Sequence, residues 1–182
     1  MRIILAVAAA FGLACIFSAP ASAQTDASVV SLSVGEEVRV RVDANSGALS
    51  IVGRGPASPL SEQALAMASS AAGAGAEAMG ENSQEARVPS GTPIEAIAQN
   101  EIYIRFLSFG ERGRVLFLEN GYDLALQYRA VLVTGYHSAP TDVCTVRPQL
   151  RSVEFWPYPS DAVQLSILTL MPWPRDQRPI CE

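Results

Sequence analysis

The stretch "GRVLFLENGYDLALQYRAVLVTG", Gly113 to Gly135, decides the fold class. Two apolar runs flank Asn120-Gly121, a dipeptide favoured in tight hairpin turns because both residues tolerate positive φ. On the second run Leu124, Leu126, Tyr128, Ala130 and Leu132 fall on one face at a period of two, as strand residues do. Arg129 shares the other face with Val131 and Val133, so that face is partly covered too. The reading is a hairpin of two long strands turning at Asn120-Gly121.

Working outward, the same alternation recurs. In "EEVRVRV" Val38, Val40 and Val42 oppose Glu37, Arg39 and Arg41, the pattern of a strand with one wet side. "DANSG" then turns the chain into "ALSIVG", so Ser28–Gly53 reads as a short strand followed by a hairpin. "EIYIRFLSF" sets Ile102, Ile104 and Phe106 against Tyr103, Arg105 and Leu107. Downstream, "YHSAPTD" reads as a loop, and "VCTV", "LRSVEFW" and "AVQLSILTL" as strands. About eight closely spaced strands imply an all-β, antiparallel β-sandwich, immunoglobulin-like or related. An isolated hairpin is marginal in water, so the first strands are expected to join the C-terminal sheets. Pairing with another molecule's sheet edge is the alternative.

Between these blocks lies an Ala-, Ser- and Gly-rich insertion, residues 57–93. Ser58-Pro59 suits a helix start, and the alanines suit its continuation. Gly73 and Gly75 predict a break, with Leu60, Leu65, Met67 and Met79 as anchors and a linker beyond. Such an insertion costs a sheet little, because loop-closure entropy grows slowly with length.

The chain begins "MRIILAVAAAFGLACIFSAPASAQ". One arginine, an apolar run, Pro20 and the small-residue triplet Ala21-Ser22-Ala23 mark a secretory signal peptide cleaved after Ala23. Lipidation at Cys15 is the competing reading, disfavoured by Gly12 and by the apolar run continuing past the cysteine. Removing residues 1–23 from 182 leaves 159, one domain's worth, as residues 24–182. Arg2 leaves with the leader, moving the net charge from −5 to −6. Scattered arginines on an acidic chain argue against nucleic acid or anionic lipid as partner. No later stretch reaches the ~20 apolar residues of a spanning helix. The expected location is the periplasm or the exterior.

Export leaves Cys144 and Cys181, which an oxidising compartment would join across 181 − 144 = 37 residues. The chain-entropy contribution for such a loop is about 4 kcal/mol. It would also fasten the proline-rich tail.

Catalytic chemistry is sparsely supplied. All thirteen basic residues are arginine, so no lysine can serve a phosphate loop, a Schiff base or a Ser-x-x-Lys nucleophile. One histidine, His137, precludes the usual His-rich metal sites. It neighbours Ser138 and Asp142, but adjacent residues of extended chain point apart, which speaks against a triad. The turn acids Glu119, Asp123 and Asp142 are the candidates for a two-carboxylate hydrolase. No cofactor or metal is expected. One cluster remains: "VEFWPYPSD" with Trp173-Pro174 of the tail. Period two puts Phe155 inside with Val153 and Trp156 outside with Glu154, so Trp156, Tyr158 and Trp173 are candidate binding residues for a glycan or peptide. Mutual packing of strand and tail is the simpler use of those rings.

Together these features lead to an exported, non-enzymatic β-sandwich that binds another protein or a cell-envelope component. A small hydrolase and a strand-exchanging structural subunit are the alternatives. Mass spectrometry of the exported protein should give an N-terminus at Gln24; a diacylated Cys15 would refute the leader assignment.

Overall fold

The computed structural model describes residues 29–77, 98–111, 113–174, 177–178 and 180–181. The leader, and the part of the insertion read as a linker, lie outside the described residues. Among the described residues there are nine strands and one helix: β1 (Val29–Ser33), β2 (Glu36–Val42), β3 (Leu49–Pro56), α1 (Glu62–Glu77), β4 (Ile102–Phe109), β5 (Gly113–Asn120), β6 (Ala125–Thr134), β7 (His137–Thr141), β8 (Arg151–Trp156) and β9 (Ala162–Met171). They form two antiparallel sheets packed face to face, a four-stranded sheet ordered β1-β9-β6-β7 and a five-stranded sheet ordered β3-β2-β4-β5-β8. The all-β sandwich expected from the alternation is present.

The inner faces follow the period of two. Val30 and Leu32, Val38 and Val40, Ile102, Ile104 and Phe106, Leu116 and Leu118, and Val163 and Leu165 all enter one core with almost no exposure. Each end of the chain supplies both sheets. β1 pairs with β9, and β2 pairs with β4 across the whole insertion. The first strands therefore do join the sheets formed by the C-terminal half.

The hairpin expected at Asn120-Gly121 does not form. β5 lies between β4 and β8, whereas β6 lies in the other sheet between β7 and β9. The dipeptide is the corner where the chain changes sheet. Asn120 is fully buried there. Its Nδ2 donates to the carbonyls of Leu124, Val146 and Arg147 at 2.8, 3.2 and 3.1 Å. Its Oδ1 accepts from Tyr122 N–H at 3.1 Å. Gly121 is needed for close approach, not for positive φ: a Cβ there would lie 1.8 Å from the Ala98 carbonyl oxygen. A turn signal and a corner signal share these two letters.

Two further readings are corrected. "YHSAPTD" contains β7, an exposed edge strand that tolerates Pro140 because an edge needs fewer ladder donors. "VCTV" makes only single bridges, Val146 to Leu126 and Cys144 to Cys181. The β2–β3 turn is as expected: Asp43 Oδ1 accepts from the N–H groups of Asn45 and Ser46, and Gly47 takes φ +70°.

The helix is longer and better held than expected. Ser61, not Ser58, caps it, its Oγ accepting from Ala64 N–H at 3.3 Å, and it runs through Gly73 without a break. Ala64, Met67 and Ala68 form a buried stripe at helical spacing. Ala64 and Met67 pack on Phe117, with Leu60 and Val153 alongside. Small residues let the helix axis approach the sheet, so a stripe poor in large side chains still buries. Replacing Asn120 with alanine leaves three carbonyls, that of Val146 buried and those of Leu124 and Arg147 half-buried, without their shared donor and should cost roughly 2–4 kcal/mol in urea unfolding. A loss below about 1 kcal/mol would show that the corner does not depend on this side chain.

Candidate functional site

The outer face of the five-stranded sheet carries two adjacent rows that run straight across it. Register pairs Gly53 with Arg39, Arg39 with Tyr103, Tyr103 with Glu119, and Glu119 with Arg151. The neighbouring row is Gly55, Glu37, Arg105, Phe117 and Val153. Both rows are the supposed wet side of the alternating strands. α1 and the β3–α1 connection cover much of them, so their charges are brought into low dielectric and must find partners.

Glu119 is central. Its Oε1 accepts from Arg105 Nη2 at 3.1 Å and its Oε2 lies 3.4 Å from Arg151 Nη2, with all three side chains less than 10% exposed. The Arg105 guanidinium stands over the Phe117 ring at 4.6 Å and the Tyr103 ring at 5.0 Å. Its Nε is buried without a hydrogen-bond partner. Glu37 accepts from Ser58 N–H at 2.6 Å and from the Tyr103 hydroxyl. Burial pushes the Glu37 carboxyl up, but these donors and nearby Arg105 outweigh it and hold it below its ordinary value. Arg39 is exposed and forms no ion pair among the described residues. Gly53 makes room for it, since a Cβ there would lie 3.2 Å from Arg39 Nη2.

Arg39, Tyr103, Arg105, Glu119 and Arg151 line a pocket of about 420 Å³ whose wall is Ser58, Pro59 and Ser61, leading into α1, with Ala98 beside them. A larger depression of about 690 Å³ opens at the end of the sandwich beside the β2–β3 turn. There Arg41 pairs with Glu101 at 2.7 Å, Asp43 holds its own turn, and Tyr122 bonds the Val42 backbone. The smaller pocket is the one lined by an arginine, Arg39, that forms no ion pair among the described residues.

The residues singled out from the sequence scatter. Trp156 is only 5% exposed and sits inside the sandwich, against Phe106, with Nε1 donating to Thr141 Oγ1 at 2.5 Å. The expected phase of β8 is thus reversed: Glu154 and Trp156 face inward, while Val153 packs near α1 and Phe155 meets Phe109 on the outer side. Tyr158 is exposed and Trp173 half-buried, so of the three rings only these two keep surface for a ligand. Cys144 and Cys181 are joined, and Thr145 N–H donates to the Ile180 carbonyl beside them, which seats the tail. His137 opens the exposed edge strand β7. Glu119 is a buried strand residue, not a turn acid, while Asp123 and Asp142 are exposed. Among the described residues no group of three or more His, Cys, Asp or Glu side chains is arranged to hold a metal ion.

The Arg39–Arg151 row was missed because it joins four strands. Its one sequence trace is the alternation of charged or phenolic residues with apolar ones in "EEVRVRV" and "IYIRF".

Glu154 is a second unusual group. Its Oε1 accepts from Tyr128 Oη at 3.1 Å and from Cys144 N–H at 3.2 Å. Burial pushes its carboxyl up to about 7, against the Cys144, Tyr128 and Ser152 donors that favour the anion. Burial, with Glu154 adjacent, pushes the Tyr128 hydroxyl well above its ordinary value. A carboxyl whose folded pKa exceeds its unfolded one takes up a proton on folding. Stability therefore falls as pH rises from about 4.5 to about 7 and is flat above. The expected loss from this group is on the order of 3 kcal/mol. Glu154→Gln should remove that slope and be the more stable protein at pH 8. Parallel pH profiles of the two proteins in urea unfolding would disprove the assignment.

No family model, curated protein or solved structure matches the chain.

Proposed function

We propose that the chain is an exported, non-enzymatic β-sandwich that binds another protein or a cell-envelope component. The binding face in this reading is the outer face of the five-stranded sheet, at the mouth of the pocket beside Arg39. One observation carries it: a buried guanidinium, Arg105, keeps an unpartnered nitrogen next to a second, unpaired arginine in a preformed pocket. Folding alone rewards neither feature, because an unmet buried donor is costly and an isolated surface cation contributes little. The exposed cation, Arg39, is open to an arriving ligand.

The leader sequence and the cystine support export to the periplasm or beyond. His137 and Asp142 lie in or just after β7, in the other sheet's edge, away from this pocket.

Affinity capture from envelope extract tests the reading. The wild-type protein should retain a partner that Arg39→Glu, a surface reversal of charge, fails to retain. Identical capture by both proteins would remove this face from consideration. Hydrolysis in a broad substrate screen that His137→Ala or Asp142→Asn abolishes would favour the enzyme instead.

A further inference from the structure

We propose that β3, at the rim of the five-stranded sheet, receives a short extended segment of another protein, which bonds the strand's outward backbone groups and brings an acidic side chain to Arg39. This deepens the reading above and rests on it for the existence of a partner.

The backbone gives the first argument. β3 is an edge strand, paired only with β2. Beside the turn that joins them, Asp43 N–H donates to the Ala48 carbonyl at 2.9 Å. Bonded and unbonded pairs alternate along an antiparallel ladder, so Arg41 and Ser50 form the next bonded pair. Ile51 therefore turns its N–H and C=O away from β2. Among the described residues no side chain or loop bonds these two groups, and Ile51 is 44% exposed. Two other edges are guarded. On β1 the Ser31 carbonyl accepts from Arg54 Nη2 and Ser33 N–H donates to Glu36 Oε2, each at 2.7 Å. On β7, Pro140 has no N–H to give. An unguarded edge is a template for an added strand.

Arg39 gives the second. It belongs to β2, yet its guanidinium lies over β3: a Cβ on Gly53 would stand 3.2 Å from Nη2 and 3.4 Å from Nε. The charge is thereby carried to the rim, exposed and without an ion pair among the described residues. A strand laid along β3 sets one of its outer-face side chains beside Gly53, and a carboxylate there is within reach of the guanidinium. Its inner-face neighbour is Ile51, which register sets opposite Val40, so the adjoining residue of the segment is apolar. A second copy of this chain fits poorly. Residues 49–56, "LSIVGRGP", hold no acid, so β3 docked on β3 leaves both copies of Arg39 unmatched. The register shift between Arg39 and Val40 also leaves Val52 as an extra residue, and such a bulge bends an edge and keeps the added segment short.

The probe is a phage-displayed library of short random peptides, panned against the full chain. Enriched sequences should combine an Asp or Glu with apolar residues. The best of them is then synthesised twice, once as found and once with its acid replaced by the corresponding amide. Binding should slow hydrogen exchange at Ile51 N–H, which is unprotected in the unliganded protein. Ile51→Pro, which removes that donor and no bond to β2, should abolish binding. Replacing the peptide's acid should weaken binding to the wild type about fivefold and leave binding to Arg39→Gln unchanged. Arg39→Gln, at an exposed position, should fold normally, so this comparison stands even if Ile51→Pro does not fold. The inference is overturned if no peptide is enriched, if Ile51 N–H exchanges as fast in the complex, or if the acid matters equally to both proteins. Dimerisation of the wild type that Ile51→Pro abolishes would overturn it in favour of a second copy. Peptide binding at this edge without any partner captured from envelope extract would overturn only the partner reading. Capture that Arg39→Glu abolishes and Ile51→Pro leaves intact would overturn only the edge.

Discussion

Strand β5 has to be sealed on both sides, and the rest of the molecule is arranged around that need. Leu116 and Leu118 are sealed by the opposing sheet, Phe117 by the alanine face of α1. A strand with two dry faces cannot alternate apolar and polar residues, which is why "RVLFLE" reads as a continuous apolar run. Once α1 lies on the outer face, the charges of that face lose water. Glu119 has to meet Arg105 and Arg151, Glu37 has to meet Ser58 and Tyr103, and Arg105 stacks on two rings. Replacing such a buried pair by apolar groups often stabilises a protein, so retaining it points to a use other than stability.

The sandwich was legible because the inner residues of β1, β2 and β4 keep a strict period of two, and one face of water or core suffices to impose it. The corner at Asn120-Gly121 was not legible, because the letters that make a hairpin also make a tight, buried change of sheet. Which one forms depends on carbonyls from Val146 and Arg147, more than twenty residues on. β8 was read in the wrong phase for a related reason. Glu154 is an acid placed inward, where Tyr128 and the backbone of Cys144 receive it. The arginine pocket draws on β2, β4, β5 and β8, so it appears only when strand order is known.

The tail and the interior are linked through the same neighbourhood. Glu154 accepts the backbone N–H of the cystine residue Cys144, and Trp156 two residues on reaches Thr141 at the end of β7. The cystine closes this side of the sandwich against a tail that Thr145 also holds, its N–H and its hydroxyl both donating to the Ile180 carbonyl. Its contribution is largest in the unfolded chain, where it removes freedom from a 37-residue loop.

Gly121 has one more implication. Its N–H donates to the Glu101 carbonyl, its own carbonyl accepts from Asn100, and its bare Cα lets Ala98 come within touching distance. At the other margin, Ala57 N–H is tied to the Gly35 carbonyl just before α1 begins. Both banks of the alanine-rich region are thereby moored to the sheets independently of what runs between them. Chain spliced in after Glu77 would leave the moorings untouched, which makes that position a natural port for grafting a tag, a reporter or a second domain.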